Sequence, residues 1–245
     1  MDIQLFVPCF IDQLYPQTAF NTKKLLEALG CIVHYNPDQT CCGQPAYNSG
    51  YWPEAKGLAE KFIRDFSLDM PVVSPSASCT SYIIHHYPNL LKEDKEMLAK
   101  HSELKTRIYE LSDFLINILK ISNLPGSFPY KVTYHDACSA LREYGICEEP
   151  RALLRMMKGL ELVEMNECDT CCGFGGTFAV KNSAISVAMA EKKVHNALAT
   201  GANFIVTTDA SCLMNINGYI AKNKLDIKGL HLADVLASNL IIPNR

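Results

Sequence analysis

The sequence predicts an α/β protein built as two duplicated parallel-sheet halves related by a pseudo-twofold axis. Three observations carry that prediction. Short apolar runs alternate with helical stretches along the chain, the order that builds parallel sheets with right-handed crossovers. A set of four cysteines occurs twice, as Cys9, Cys41, Cys42 and Cys79 and again as Cys138, Cys171, Cys172 and Cys212. The gaps also repeat: 32 and 33 positions from the first to the second member, and 37 and 40 from the third to the fourth. Each of these positions lies just past a predicted strand, on the sheet edge where open α/β folds bind ligands.

In the first half, a buried strand is expected at 3–7, ending near Cys9. A helix follows at 14–29, with Leu25, Leu26 and Leu29 on one face and Gly30 as its stop. A second strand at 32–35 leads into the loop of Cys41-Cys42-Gly43. Pro53 opens a helix at 53–66. A strand at 71–73 precedes Ser76 and Cys79, and a helix is expected at 79–86. The charged stretch 92–105 reads as a solvated helix. A weak strand at 107–110 and a helix at 111–119 close a first domain, 1–121. Two prolines and a glycine mark 122–129 as a linker.

The second domain, 130–245, repeats this order. Strands are expected at 131–135, 160–165, 203–207 and 227–230, and helices at 150–157, 185–198 and 233–240. An offset of 129 maps Cys9 onto Cys138 and Gly30 onto Gly159, and an offset of 133 maps Cys79 onto Cys212. Leu111 and Asp113 fall on Leu232 and Asp234 at an offset of 121, the drift expected from loop insertions in a duplicated unit.

Composition narrows the class. Hydrophobic residues make up 48% and charged residues 20%, enough for a core in each half. A formal net charge of −3 gives no reason to expect nucleic acid or an anionic membrane as partner. No apolar stretch is long enough for a membrane span, and the N-terminus has neither the basic start nor the cleavage site of a signal peptide. A cytoplasmic location is therefore expected, where thiols stay reduced and clustered cysteines read as metal or redox sites. Eleven cysteines, an odd number, also disfavour a complete disulfide framework.

Adjacent cysteines on a strand would point to opposite faces. In a turn, with glycine next, both sulfurs can converge. Four thiolates then suit zinc or an iron–sulfur cluster. The wide ligand spacing and the ample apolar content favour a redox cluster in each half, since such a half can fold without metal. Zinc in one half, zinc alone and plain thiol chemistry stay as alternatives. Gly43, Gly173, Gly175 and Gly176 would let backbone wrap the group with amides aimed at sulfur. His135 and Asp136 stand where the first half has Phe6 and Val7, and are candidates for proton handling or for a structural pair. Cys31, Cys147 and Cys168 have no counterpart. Cys31 reads as core filling and Cys168 as a loop thiol near the second group.

The stretches VPCF (7–10), TCCGQPAYNSGY (40–51), PSASC (75–79), YHDACSALREYG (134–145), EEPRALL (148–154), CCGFGGTFAVK (171–181) and TDASCLMNINGY (208–219) resemble the CCG, or cysteine-rich, domain family. That family includes the cysteine-rich subunit of heterodisulfide reductase and the glycolate oxidase iron–sulfur subunit, and the likeness is greater to its lactate utilization protein A group. The resemblance implies an iron–sulfur electron-transfer subunit of a complex oxidising L-lactate to pyruvate. It also implies partners: a ferredoxin-type iron–sulfur protein and a third subunit. In the heterodisulfide reductase subunit a fifth cysteine completes an unusual cluster, but Tyr82 and Asn215 occupy those positions here. One ordinary [4Fe-4S] cluster per half fits better. Ser139 stands where related stretches often carry histidine. The alternatives are a heterodisulfide or thiol–disulfide reductase subunit and a non-redox zinc-stabilised scaffold.

Overall fold

The computed structural model describes residues 1–240; the last part of the second expected domain, 241–245, lies outside the described residues. In the first half, β1 (Asp2–Leu5), β2 (Ile32–Tyr35), β3 (Val72–Ser74) and β4 (Ile108–Glu110) form a parallel sheet in the order β2-β1-β3-β4. In the second, β5 (Lys131–Tyr134), β6 (Glu161–Leu162), β7 (Phe204–Thr207) and β8 (Lys228–His231) repeat it as β6-β5-β7-β8, again all parallel.

The helices of the first half are α1 (Cys9–Leu14), α2 (Pro16–Ala28), α3 (Gln44–Asn48), α4 (Trp52–Asp65), α5 (Ala77–Leu91), α6 (Lys95–Leu104) and α7 (Leu111–Asp113), which runs on into a π-helical turn, Phe114–Ile118. Those of the second are a π-helical segment Ser139–Tyr144, then α8 (Glu148–Met156), α9 (Thr177–Lys181), α10 (Ser183–Leu198), α11 (Ala210–Asn223) and α12 (Leu232–Leu236). The helix expected at 14–29 is α2, which starts at Pro16 because proline has no N–H to carry a helix through from the preceding turn; the short helix α1 before it was not expected. The stretch 92–105 is not solvated all round: Met97, His101 and Leu104 form a buried stripe on α6, and His101 Nε2 lies 2.8 Å from the Ile83 carbonyl. Their spacing, i, i+4 and i+7, is one helical face. The strand expected at 160–165 is reduced to two residues at a sheet edge.

Alternation along the strands sends side chains to two faces. Ile3, Leu5 and Val73 from the first sheet meet Val132, Tyr134 and Val206 from the second in one shared core, with Leu25, Phe114, Leu153 and Val235 from the helices between. On the outer face of the first sheet, Phe6 and Val72 pack with Phe62, Tyr82 and Tyr87. On that of the second, Ile205 packs with Val194, Ile216 and Ile220. The halves dock reciprocally. The α2 helix lies on α12, while α8, the counterpart of α2, lies on α7, the counterpart of α12. That exchange is the signature of a pseudo-twofold axis. Residues 122–129 are packed too: Leu124 and Phe128 enter the shared core, and Phe128 N–H donates to the Lys158 carbonyl at 3.0 Å.

Candidate metal centre

The three crossovers of each half bring its four cysteines to one sheet edge. Cys9 opens α1 just after β1, and Cys41-Cys42 lie between β2 and α3. Cys79 sits in the first turn of α5, where the Ser76 hydroxyl caps the helix by accepting from Cys79 N–H. In the second half Cys138 follows β5, Cys171-Cys172 precede α9, and Cys212 lies in the first turn of α11. The cap there is Asp209, whose Oδ1 accepts from Ser211 Oγ at 2.7 Å. Its other oxygen accepts from Ser78 N–H of α5 at 2.9 Å, so one carboxylate ties the two cysteine-bearing helix starts together across the halves.

Cys9 and Cys41 Sγ are 3.4 Å apart. Cys41 also neighbours Cys42, and Cys42 neighbours Cys79; the second set repeats the chain from Cys138 through Cys171 and Cys172 to Cys212. Cys42, Cys79, Cys172 and Cys212 are buried and the other four half-buried. Contacts from Cys42 and Cys9 draw Cys41 down to about 3, and those from Cys138 and Cys172 draw Cys171 down to about 2. Contact with that thiolate and burial push Cys9, Cys42, Cys138 and Cys172 up. In each quartet one thiol thus readily releases its proton while two of its neighbours resist doing so. A cation among the sulfurs removes that resistance, which is how thiolate sites couple deprotonation to metal binding. A donor set of four soft sulfurs fits zinc or an iron–sulfur cluster and does not fit magnesium or calcium.

The glycine after each pair is required by the turn. Gly43 and Gly173 have φ of +94° and +88°, and their N–H groups point at Cys41 and Cys171 Sγ, 3.4 Å away in each case. The turn carbonyls are held by different residues doing one job: Tyr87 Oη donates to the Cys42 carbonyl at 2.7 Å, and Asn215 Nδ2 to that of Cys172 at 2.8 Å. Asn215 therefore has a structural use at one of the positions where a fifth cysteine is absent. Tyr82, at the other, is buried with its hydroxyl unpartnered.

The two candidates preceding Cys138 part company. His135 Nδ1 and Nε2 have no hydrogen-bond partner among the described residues, and the ring sits with Cys172 and Cys212, the three potential ligand atoms lying within 4.8 Å of one another. Burial and the Lys193 ammonium push its pKa down to about 4. Asp136 instead faces Arg151, which grips both carboxylate oxygens at 2.8 and 2.7 Å. Arg151 also reaches Glu164 at 2.8 Å, lies over the Tyr134 ring, and approaches Cys147 and Cys168 Sγ at 3.6 and 3.7 Å. Lys193, buried, donates to the Glu167 and Cys168 carbonyls and pins the loop entering Cys171. Arg151 lies in the EEPRALL stretch, whereas no feature of the sequence singles out Lys193. Cys31 is buried in the shared core.

Both quartets open on one cavity of about 390 Å³ between the halves, lined also by Ser76, Ser78, Glu143, Asp209 and Ser211. Gly175 and Gly176, just before α9, form part of its wall. Phe10, next to Cys9 at the start of α1, and Phe174, next to the Cys171-Cys172-Gly173 turn, meet edge to face at 5.6 Å across it.

Residues 3–84 and 132–217 each match the family described as the cysteine-rich domain, CCG. The chain belongs to the CCG cysteine-rich domain family. Each matched copy carries one quartet and the first three strands of its half, and ends before the fourth. Curated relatives match along the whole length. Lactate utilization protein A 2 of Bacillus cereus is 41% identical over 240 residues, covering 98% of this chain and 99% of that protein. Lactate utilization protein A of Halalkalibacterium halodurans is 43% identical over 236 residues, covering 96% of each. Among solved structures, a hypothetical protein from Helicobacter pylori superposes with a TM-score of 0.61 at 14% identity, over 96% of this chain and 48% of that one, a likeness of fold alone. No helix among the described residues is long and apolar enough to cross a membrane.

Proposed function

We propose that this CCG-family chain is the iron–sulfur electron-transfer subunit of a system oxidising L-lactate to pyruvate. The observation that carries the reading is the pair of equivalent thiol quartets opening on one cavity. Cys9, Cys41, Cys42 and Cys79 would hold one [4Fe-4S] cluster and Cys138, Cys171, Cys172 and Cys212 another. When bound, such clusters supply one-electron transfer. The chain's own residues bury the sulfurs, direct the Gly43 and Gly173 amides at them and screen the cavity with Phe10 and Phe174. The names of the full-length relatives support lactate as the substrate of the system. Lactate releases two electrons on becoming pyruvate, so the reading includes partners: a ferredoxin-type iron–sulfur protein and a third subunit. The compact His135, Cys172 and Cys212 group favours a second reading in that half alone, a single zinc ion.

The test is anaerobic purification with iron, sulfide and zinc quantified together. Iron and sulfide for two clusters per chain are expected, with about half lost in either Cys41→Ser or Cys171→Ser. Zinc in both quartets would sink the redox reading. Lactate-dependent reduction of an artificial acceptor is expected only when partner proteins are added. Turnover by the chain alone would make it the catalytic component.

A further inference from the structure

His135 follows β5, and its backbone N–H is tied to the Val206 carbonyl at 2.8 Å, so the residue is held by the sheet. Its ring is fully buried, and both nitrogens are unpartnered. The Cys168 carbonyl is close but outside hydrogen-bond geometry. An imidazole carries at least one N–H in every protonation state near neutrality, and burying that N–H unpaired is costly. Among the groups around the ring are the sulfurs of Cys172 and Cys212, within 4.8 Å.

The other half is a built-in control. At an offset of 129 the residue equivalent to His135 is Phe6, equally buried and packed edge-on to Phe62 at 4.8 Å. An aromatic hydrocarbon therefore satisfies the fold at this position. The four thiols of the first quartet assemble without any imidazole, so the second has no need of one as a ligand. What an imidazole adds to a complete set of thiolates is a hydrogen-bond donor.

We propose that His135 donates a ring N–H to a thiolate sulfur of the group held by the second quartet and raises the reduction potential of that centre. The proposal rests on the reading of the second quartet as an iron–sulfur site. Reduction adds negative charge that spreads onto the sulfurs, and an N–H aimed at sulfur stabilises the more negative form. His135 is thus a positioning and tuning residue for one centre of two. Phe6 leaves the other without this donor.

The test uses the whole cluster-loaded chain, followed by redox titration with electron paramagnetic resonance. In His135→Phe, one of two midpoint potentials is expected to move negative, with the other in place and the iron content unchanged. His135→Gln, which keeps an N–H, should restore part of the shift. Pulsed resonance on the unmutated protein should show a weakly coupled nitrogen and an exchangeable proton at one centre, a readout that holds even if the variants fold poorly. Unmoved potentials in fully loaded His135→Phe would overturn the proposal. So would a strongly coupled nitrogen, or loss of half the iron in both variants, since either makes His135 a ligand. Zinc without iron in the second quartet overturns the underlying reading instead, and metal analysis of the unmutated chain separates that failure from the others.

Discussion

Phe6 and Val7 lead into the first quartet, and His135 and Asp136 lead into the second from the same place in the repeat. Around the first, Phe6, Phe62, Phe66, Tyr82 and Tyr87 form a nearly continuous aromatic wall. Around the second, Asp136, Arg151, Glu164 and Lys193 replace hydrocarbon with paired charge and carbonyl contacts. The difference extends to the far strands. Glu110 and His231, equivalent at an offset of 121, each cap the helix after the last strand of their sheet while buried. A carboxylate serves one half and an imidazole the other. Duplication has preserved the sulfurs and their turns, while the groups behind them have diverged, so two sites of equal donor number sit in unequal surroundings.

The largest effect that would sharpen this comparison lies in the ion network. Asp136→Ala leaves Arg151 buried with only the half-exposed Glu164 opposite, and is expected to cost about 3–5 kcal/mol in anaerobic urea unfolding. Its counterpart Val7→Ala removes only buried methyl groups, with an expected cost of about 1–2 kcal/mol. Equal losses would mean that the network contributes no more than hydrocarbon does.

The second contrast concerns pH. Burial pushes Glu110 up to about 8, against the hydrogen bonds it accepts from Ser112 and Asp113. Because its folded value lies above its unfolded one, its contribution is full below about pH 4.5 and is lost as pH rises toward 8. Burial pushes His231 the other way, against the nearby Asp234 and Asp209 carboxylates. Its contribution is present above the unfolded value of 6.5 and is lost as pH falls. Glu110→Gln should therefore gain stability over the parent on the order of 3 kcal/mol between about pH 5 and pH 8. His231→Gln should gain only on the acid side. Parallel curves for parent and variants would refute the assignment.

The smallest contrast is in the turns themselves. An added Cβ at Gly173 would lie 2.8 Å from the Ser186 carbonyl and 2.9 Å from Met189 Cβ, whereas at Gly43 its nearest neighbour is Leu58 Cβ at 3.3 Å. Both positions carry the positive-φ penalty. Gly173→Ala is expected to cost about 2–3 kcal/mol and Gly43→Ala about 1 kcal/mol, the excess reflecting backbone that cannot yield. A matching loss in thermal unfolding would show that α10 moves aside.

Much of this was legible in one dimension. The alternation of strands and helices, the parallel crossovers and the placing of eight cysteines after strands follow from apolar periodicity and a repeat offset, both local properties of the chain. The start of α2 at Pro16 was legible too, since the missing N–H is a property of that residue alone. The buried stripe on α6 was visible at 97, 101 and 104 but masked by the charges between.

Other features had no sequence signal, because each depends on which face meets which. Asp136 and Arg151 are 15 positions apart, and nothing in their spacing says that they pair. His135 and Asp136 are neighbours, yet one turns to sulfur and the other to a guanidinium, since successive side chains leave an extended backbone on opposite sides. The sequence by itself determined the repeat, the α/β class and the cysteines at the strand ends, because periodicity and spacing are written residue by residue. Only the tertiary structure decided that the halves share one core, that Asp209 bridges their helix starts, and that an imidazole stands unpartnered beside one thiol quartet while a phenyl ring stands at the equivalent place beside the other. Those are consequences of packing, in which each contact is set by the shape of both surfaces and by neither stretch of sequence alone.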